Sequence, residues 1–291
     1  MSTPEPDQPR EPDEQGPAGQ PARAGTVSLS PPSRFDFVPS PVFASLLLLA
    51  AAAGWLSWTR LEGEYLDGQT SYAAFALILI GWVICLALHE FAHGLAAYLL
   101  GDRSLRSSAY LRLNPLKFKE LFAGLILPLV FLFLARVGMT GPPVYLDPDA
   151  VPGRAKRTVI ALSGPAANAV LVLVLTVVLK TLVPGGAITN NWVLDALVFL
   201  CFLNITALVL NLLPVPGTDV FAAIAPHIPG TWVRDNARAL GIFGSVAIFA
   251  VLSLPPLRAG ILELMGAVFE VVTGLSGNYV LGGATLFFIW G

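Results

Sequence analysis

Apolar residues in this chain come in long blocks rather than in a helical or alternating rhythm. Stretches with few polar interruptions lie near residues 42–58, 72–100, 158–182, 192–213 and 237–254. A helix needs about 20 apolar residues, with some latitude, to cross a bilayer. Residues 261–290 are also apolar but are broken at Gly274 and Gly277, which reads as one span plus a short extension or as two short passes. Residues 122–137 form a shorter run that contains Pro128. The pattern predicts an all-α polytopic membrane protein with about six transmembrane helices. No internal repeat accompanies it.

Composition agrees. Of 291 residues, 55% are hydrophobic and 12% charged, against about 25% charged in soluble domains. The mean hydropathy is +0.71. A soluble enzyme of this length could not hide so much apolar surface. The formal charge of -2 excludes nucleic acid as an expected partner. Cys85 and Cys201 both fall inside apolar stretches, so they read as small buried residues rather than a disulfide framework. Cys85 precedes His89 by one helical turn and shares its face, which leaves it a minor role near that residue.

Residues 1–41 differ from everything after them. Prolines at 4, 6, 9, 12, 17, 21, 31 and 32 alternate with Glu, Asp, Gln and Gly. Such a segment cannot bury enough apolar surface to offset its ordering entropy, so it is expected to be a disordered tail. It lacks the basic start and early apolar run of a signal peptide. The expected division is a Pro-rich acidic tail, 1–41, and a membrane domain, 42–291. The 101–120 connection carries Arg103, Arg106, Arg112, Lys117 and Lys119, whereas the 59–71 connection carries Arg60 against Glu62, Glu64 and Asp67. The positive-inside rule then puts 101–120 and the tail in the cytoplasm and 59–71 outside. The uncharged 183–191 loop fits an outside position.

Within 72–100 lies His89-Glu90-Phe91-Ala92-His93, an H-E-x-x-H pattern that takes two of the chain's three histidines. On a helix the two imidazoles project from one face and can bind one metal ion. Glu90 lies one residue round from His89, within reach of a water at that metal, as a general base must be. Two imidazoles and a carboxylate suit zinc with an open fourth position. Ionisable residues at membrane depth are costly and rare, which makes them functional candidates by default.

The third ligand must be an acid further along. Asp195, Asp219, Glu263 and Glu270 are the candidates. Asp219 follows Pro214, Pro216 and Gly217, which must break the helix; irregular backbone at membrane depth is tolerated only inside protein or beside a water-filled cavity. For Asp219 to meet His89 and His93, helices 72–100 and 192–213 must run in the same direction across the membrane. Span 158–182 supplies the one crossing between them. Residues 122–137 are therefore expected to form a re-entrant or interfacial segment. His227, after Pro226, reads as a solvated loop residue.

These residues together resemble the site-2 protease family of intramembrane zinc metalloproteases, in its bacterial branch without a PDZ domain. HEFAH matches the first family motif. Asn211 to Asp219 resembles N-x-x-P-x-P-x-x-D-G, and Gly164-Pro165-Ala166-Ala167-Asn168 matches G-P-x-x-N. Leu113-Asn114-Pro115-Leu116 and Gly141-Pro142-Pro143-Val144 are also similar to stretches of that branch. The likeness runs from about 75 to 255, with the motif core at about 72–220.

The resemblance implies one Zn2+ per chain held by His89, His93 and Asp219, with Glu90 as general base. It implies a role for Asn211 in substrate binding or oxyanion stabilisation, with an interhelical hydrogen bond as the alternative; Asn168 reads as a structural residue capping backbone freed at Gly164-Pro165, with substrate contact as the alternative. It also implies that segment 103–157 offers a strand edge to an unwound substrate, so the segment between the second and third spans can carry β structure. The expected activity is cleavage of membrane proteins in or beside the bilayer, with a single-span regulatory protein as the kind of partner. The expected location is the cell membrane, with the active site towards the cytoplasm. Val220 departs from the family pattern, which has Gly after the aspartate, and a β-branched residue would restrict a tight turn there. An inactive relative that only binds membrane proteins and, further off, a metal transporter are the rival expectations. No stretch is long and polar enough to be a soluble regulatory domain.

Overall fold

A computed structural model of the protein describes residues 37–59, 68–141, 150–183 and 191–288. Most of the expected tail, residues 60–67 of the first connection, 184–190 of the uncharged loop and the Pro142–Val144 part of the fifth similar stretch lie outside these residues.

Among the described residues four helices are long and apolar enough to cross a membrane: α1 (Pro41–Thr59), α2 (Gly68–Leu100), α4 (Arg154–Leu182) and α5 (Trp192–Asn211). Between α2 and α4 lies α3, the shorter apolar helix Phe122–Ala135. After α5 come the short helices α6 (Asp219–Ile224) and α7 (Trp232–Asp235), then α8 (Ala237–Ser253), α9 (Pro255–Thr273) and α10 (Asn278–Phe287). The protein is thus a multi-pass helical membrane protein. Helices α8 and α9 meet at a bend of 95°, a broken span or a re-entrant loop. Among the described residues the candidate spans number four, or five with the bent pair counted once, against the about six expected. The break falls at Leu254-Pro255-Pro256, because proline cannot continue the hydrogen-bond ladder of the helix before it. Hydropathy alone, blind to that angle, treats 237–254 as an ordinary crossing.

Helix α5 is the axis of the fold. It is apolar all round, as a helix enclosed on every side must be. Phe199, Cys201, Phe202, Leu203, Ile205 and Ala207 are all buried in the principal core. Helices α2, α4 and α10 pack against it. Its first turn is capped by Asn191, whose side chain accepts from Val193 N at 3.0 Å. By contrast α1 leaves Leu47, Leu48, Leu49 and Trp55 exposed, which in a bilayer is a lipid-facing surface. Glu270 Oε1 accepts from Gly277 N at 2.6 Å and closes the turn between α9 and α10.

Helix α3 matches the expected short segment in position and length. Its ends wind as π turns, Phe122–Ile126 and Phe131–Ala135, around Leu127–Val130. It stops at Arg136, in the left-handed conformation (φ 63°). Residues Val137 to Gly141 then run as irregular backbone, with Val137, Met139 and Thr140 buried. Such backbone is admissible at depth because protein surrounds it. Among the described residues there is no strand, and 142–149 of the expected strand-bearing segment lie outside them.

Candidate metal centre

Helix α2 carries His89, Glu90 and His93, all buried, at 0%, 3% and 1% exposure. The helical period brings both imidazoles to one face, ring centroids 4.7 Å apart and nearly perpendicular. Their Nε2 atoms are 3.1 Å apart. Asp219 begins α6 with its carboxylate between them: Oδ2 lies 3.4 Å from His89 Nε2 and Oδ1 3.3 Å from His93 Nε2. One ligand atom from each of the three residues falls within 4.8 Å of the others.

Three further elements hold this geometry. The first is the turn before Asp219. Thr218 Oγ1 accepts from Phe221 N at 3.4 Å as N-cap of α6. It is also within donating distance of the carbonyls of Leu213 (2.6 Å) and Val215 (2.8 Å). Gly217 makes the turn itself, with φ of 94°. The second element is α8, which packs glycine against that turn: a Cβ on Gly244 would overlap the carbonyl of Pro216. The third is α4. A Cβ on Gly164 would overlap His93 Nε2 and His89 Cε1, so only a glycine lets α4 approach the imidazoles this closely. One turn earlier the carbonyl of Ile160 lies 2.7 Å from His93 Nδ1 and also accepts from Ser163 Oγ at 2.6 Å. Pro165, inside α4, has no N–H to return to the preceding turn, which loosens the helix just where it meets His93.

The donor set fits a metal. A carbonyl can only accept, so His93 Nδ1 carries the proton and Nε2 presents its lone pair to the cluster. This is the arrangement of a metal-bound histidine whose other nitrogen is anchored by the protein. Both Asp219 carboxylate oxygens are buried without a hydrogen-bond donor. A bare carboxylate and an imidazole lone pair crowded together in a buried site form a setting that a bound cation satisfies. Two nitrogens and a carboxylate oxygen are the donor set of a catalytic zinc site.

Of the other acids weighed, none joins the cluster. Asp195 sits in the first turn of α5, at the opposite end of that helix from Asn211 and beside Gly282 of α10. Glu270 serves the α9–α10 turn, and Glu263 lies on α9 outside the group. Cys85 accepts from Asn204 Nδ2 at 3.3 Å across to α5, while Cys201 Sγ lies 3.9 Å from Thr176 Oγ1; both thiols are free, buried and outside the metal group. Asn211, the last residue of α5, is fully buried and donates from Nδ2 to Thr140 Oγ1 at 2.6 Å. Asn168 lies one turn after Gly164 on α4, buried, with an Nδ2 that has no partner. Tyr110, in the loop after α2, has its phenol pushed above the usual range, first by burial and then by the charge of Glu90.

Two expectations change. Val220 lies in the first turn of α6, and among the described non-glycine residues only Ser107, Leu113 and Arg136 have positive φ. The tight turn falls on Gly217 instead, so Val220 does not have to make it. His227, though exposed, is not merely solvated. Its Nε2 lies 3.0 Å from Thr158 Oγ1, which donates to the carbonyl of Ala223 at 2.8 Å, tying the segment after Asp219 to α4. Sequence reading also missed Thr140, Ser163 and Gly244. Of these only Gly244 leaves a trace, as the small pair Gly244-Ser245 inside an apolar run.

A histidine pair and a carboxylate poised for zinc, inside a multi-pass helical bundle, define a membrane protein with a zinc centre. Over 260 residues, 89% of the chain and 97% of the relative, it is 35% identical to "Putative zinc metalloprotease Rip2" of Mycolicibacterium smegmatis. The Mycobacterium tuberculosis protein of the same name is 34% identical over 253 residues, 87% of the chain and 94% of the relative. "Putative zinc metalloprotease YwhC" of Bacillus subtilis is 28% identical over 210 residues, 66% of the chain and 92% of the relative. No family model and no solved structure matches the chain. The chain belongs to the site-2 protease family of zinc metalloproteases, and its cofactor is one Zn2+.

Proposed function

We propose that the protein is an intramembrane endopeptidase that cuts membrane proteins within or beside the bilayer, with His89, His93 and Asp219 as zinc ligands and Glu90 as general base. The observation that carries the reading is the buried meeting of His89, His93 and Asp219, with Glu90 next to His89 on the same helix. Zinc, when bound there, supplies the Lewis acidity that makes a water nucleophilic near neutral pH. Glu90 accepts the proton of the attacking water and passes it to the leaving amine. Asn211 and Asn168 are buried carboxamides able to donate to the developing oxyanion. Ile160 and Ser163 keep His93 in the tautomer that the ligand role needs.

A transmembrane substrate hides its carbonyls in its own helix, so it must unwind before attack. Residues 103–157 are proposed to receive the unwound stretch along a strand edge. The substrate class is a single-span membrane protein, a regulatory one by family analogy. The basic loop after α2 supports a cytoplasmic active site and tail, in the cell membrane.

The inactive-relative reading rested on Val220, whose helical setting removes that support. A transport path would need polar sites through several spans, and among the described residues only one cluster of His, Cys, Asp and Glu is placed to hold a metal. The test is Glu90→Gln in proteoliposomes with single-span membrane proteins as substrates. Cleavage should vanish while zinc stays near one per chain. Undiminished cleavage would refute the assignment of Glu90.

A further inference from the structure

We infer that Thr140 is a positioning residue that fixes the Asn211 carboxamide so that its second N–H and its Oδ1 are held out to the backbone of an extended peptide. The inference rests on the protease reading and deepens it.

Asn211 Nδ2 spends one of its two N–H bonds on Thr140 Oγ1, at 2.6 Å, and both residues are buried. Its Oδ1 is buried and has no partner. An acceptor left so in a protein interior is costly, and proteins rarely keep one. With one N–H committed, the carboxamide has one donor and one acceptor left. That pair complements the C=O and N–H of a peptide backbone.

The segment that bears Thr140 is fixed in place. Gly138 N–H donates to Thr206 Oγ1 of α5 at 2.8 Å. A Cβ at Gly138 would overlap the Leu203 carbonyl, and one at Gly141 would overlap the carbonyl of Ala123 on α3. The backbone is therefore seated on α5 just before Thr140 and on α3 just after it. The spacing matches too. Thr206 and Asn211 are separated by about 7.5 Å along a helix axis. Extended backbone covers about 6.6 Å between Gly138 and Thr140. The segment runs beside α5 and delivers the hydroxyl to Asn211, so the amide cannot turn without breaking the contact. Thr140 and Gly141 lie within 103–157, the segment proposed to receive the substrate, so one short segment would align the peptide and the residue that reads it.

The test is calorimetry on the full-length, zinc-loaded protein in detergent micelles, with two probes. A leucine-containing peptidyl hydroxamate engages both the metal and the backbone subsite, whereas acetohydroxamate engages the metal alone. Thr140→Val keeps the shape and removes the hydroxyl. It should weaken the peptidyl probe about fivefold to tenfold, the worth of one buried hydrogen bond. Acetohydroxamate affinity should not change. Thr140→Ser should bind the peptidyl probe within about twofold of wild type. Thr140→Val combined with Asn211→Ala should be no weaker than Asn211→Ala alone, because Thr140 acts only through that amide. Wild-type affinity for the peptidyl probe in Thr140→Val would overturn the inference. So would fully additive losses in the double variant, or an equal loss of both probes. Failure of the wild-type protein to bind acetohydroxamate would instead overturn the protease reading, and the inference with it.

Discussion

Gly164→Ala separates the demands of a helix from those of the metal centre. In a helix interior this change ordinarily stabilises by about 0.5–1 kcal/mol, because alanine has less backbone freedom to lose. At this position the new methyl would overlap His93 Nε2 and His89 Cε1. Relief to ordinary contact requires a shift of about 1 Å. Helix α4 cannot supply it freely, because Ile160 anchors His93 at 2.7 Å and the same helix is tied to α6 through Thr158 and His227. The imidazoles must move instead, and the methyl covers the nitrogen that would face zinc. Disturbing merely the groups that orient metal ligands costs about 10–100-fold in affinity. A blocked ligand atom should cost at least the upper end of that range. The assay is chelator competition for zinc, run beside thermal unfolding of the metal-free protein. The account predicts that zinc affinity falls at least about 100-fold, while the metal-free midpoint falls by no more than a few degrees. Wild-type zinc affinity in Gly164→Ala would refute the placement of α4 against the histidines.

Other changes probe other parts of the site. Gly244→Ala drives a methyl into the Pro216 carbonyl. It should destabilise the protein by about 1–3 kcal/mol, as overpacking does, and lower zinc content through the turn that carries Asp219; denaturant unfolding and metal analysis check both. Asp195→Asn, Glu263→Gln and Glu270→Gln should each leave zinc at about one per chain, and a loss in any of them would reopen the choice of third ligand. Lowering the pH should release zinc, because imidazole binds metal only when deprotonated and protons therefore compete for both histidines. Chelator-competition titrations between pH 5 and 8 would show affinity rising with pH. Removing the metal should abolish cleavage and adding zinc should restore it.

Much of the centre is legible in sequence because its chemistry is local. His89 and His93 need only the helical period to converge, and the Pro214-Val215-Pro216-Gly217 break announces that irregular backbone precedes Asp219. The choice of Asp219 over Asp195 needs the third dimension, since both are acids in apolar surroundings and only the position of α6 separates them. The residues that fit around the cluster are less visible. Gly164 acts through what it lacks, and Thr140 meets Asn211 across 71 positions of sequence. The bend between α8 and α9 is hidden for a related reason. Hydropathy records that 237–273 is apolar but not that Leu254-Pro255-Pro256 turns the chain by 95°. Val220 shows the reverse, where a family pattern suggested a tight turn that lies three positions earlier in the chain. The geometry assigns that turn to Gly217.

The proposed chemistry depends on one zinc held by His89, His93 and Asp219. Metal analysis of the purified full-length protein, wild type beside Asp219→Ala, tests it most directly. The account predicts about one zinc per chain in the wild type and little in the variant. Equal zinc in both would show that the carboxylate is not a ligand, and no zinc in either after metal-replete purification would contradict the metal centre itself.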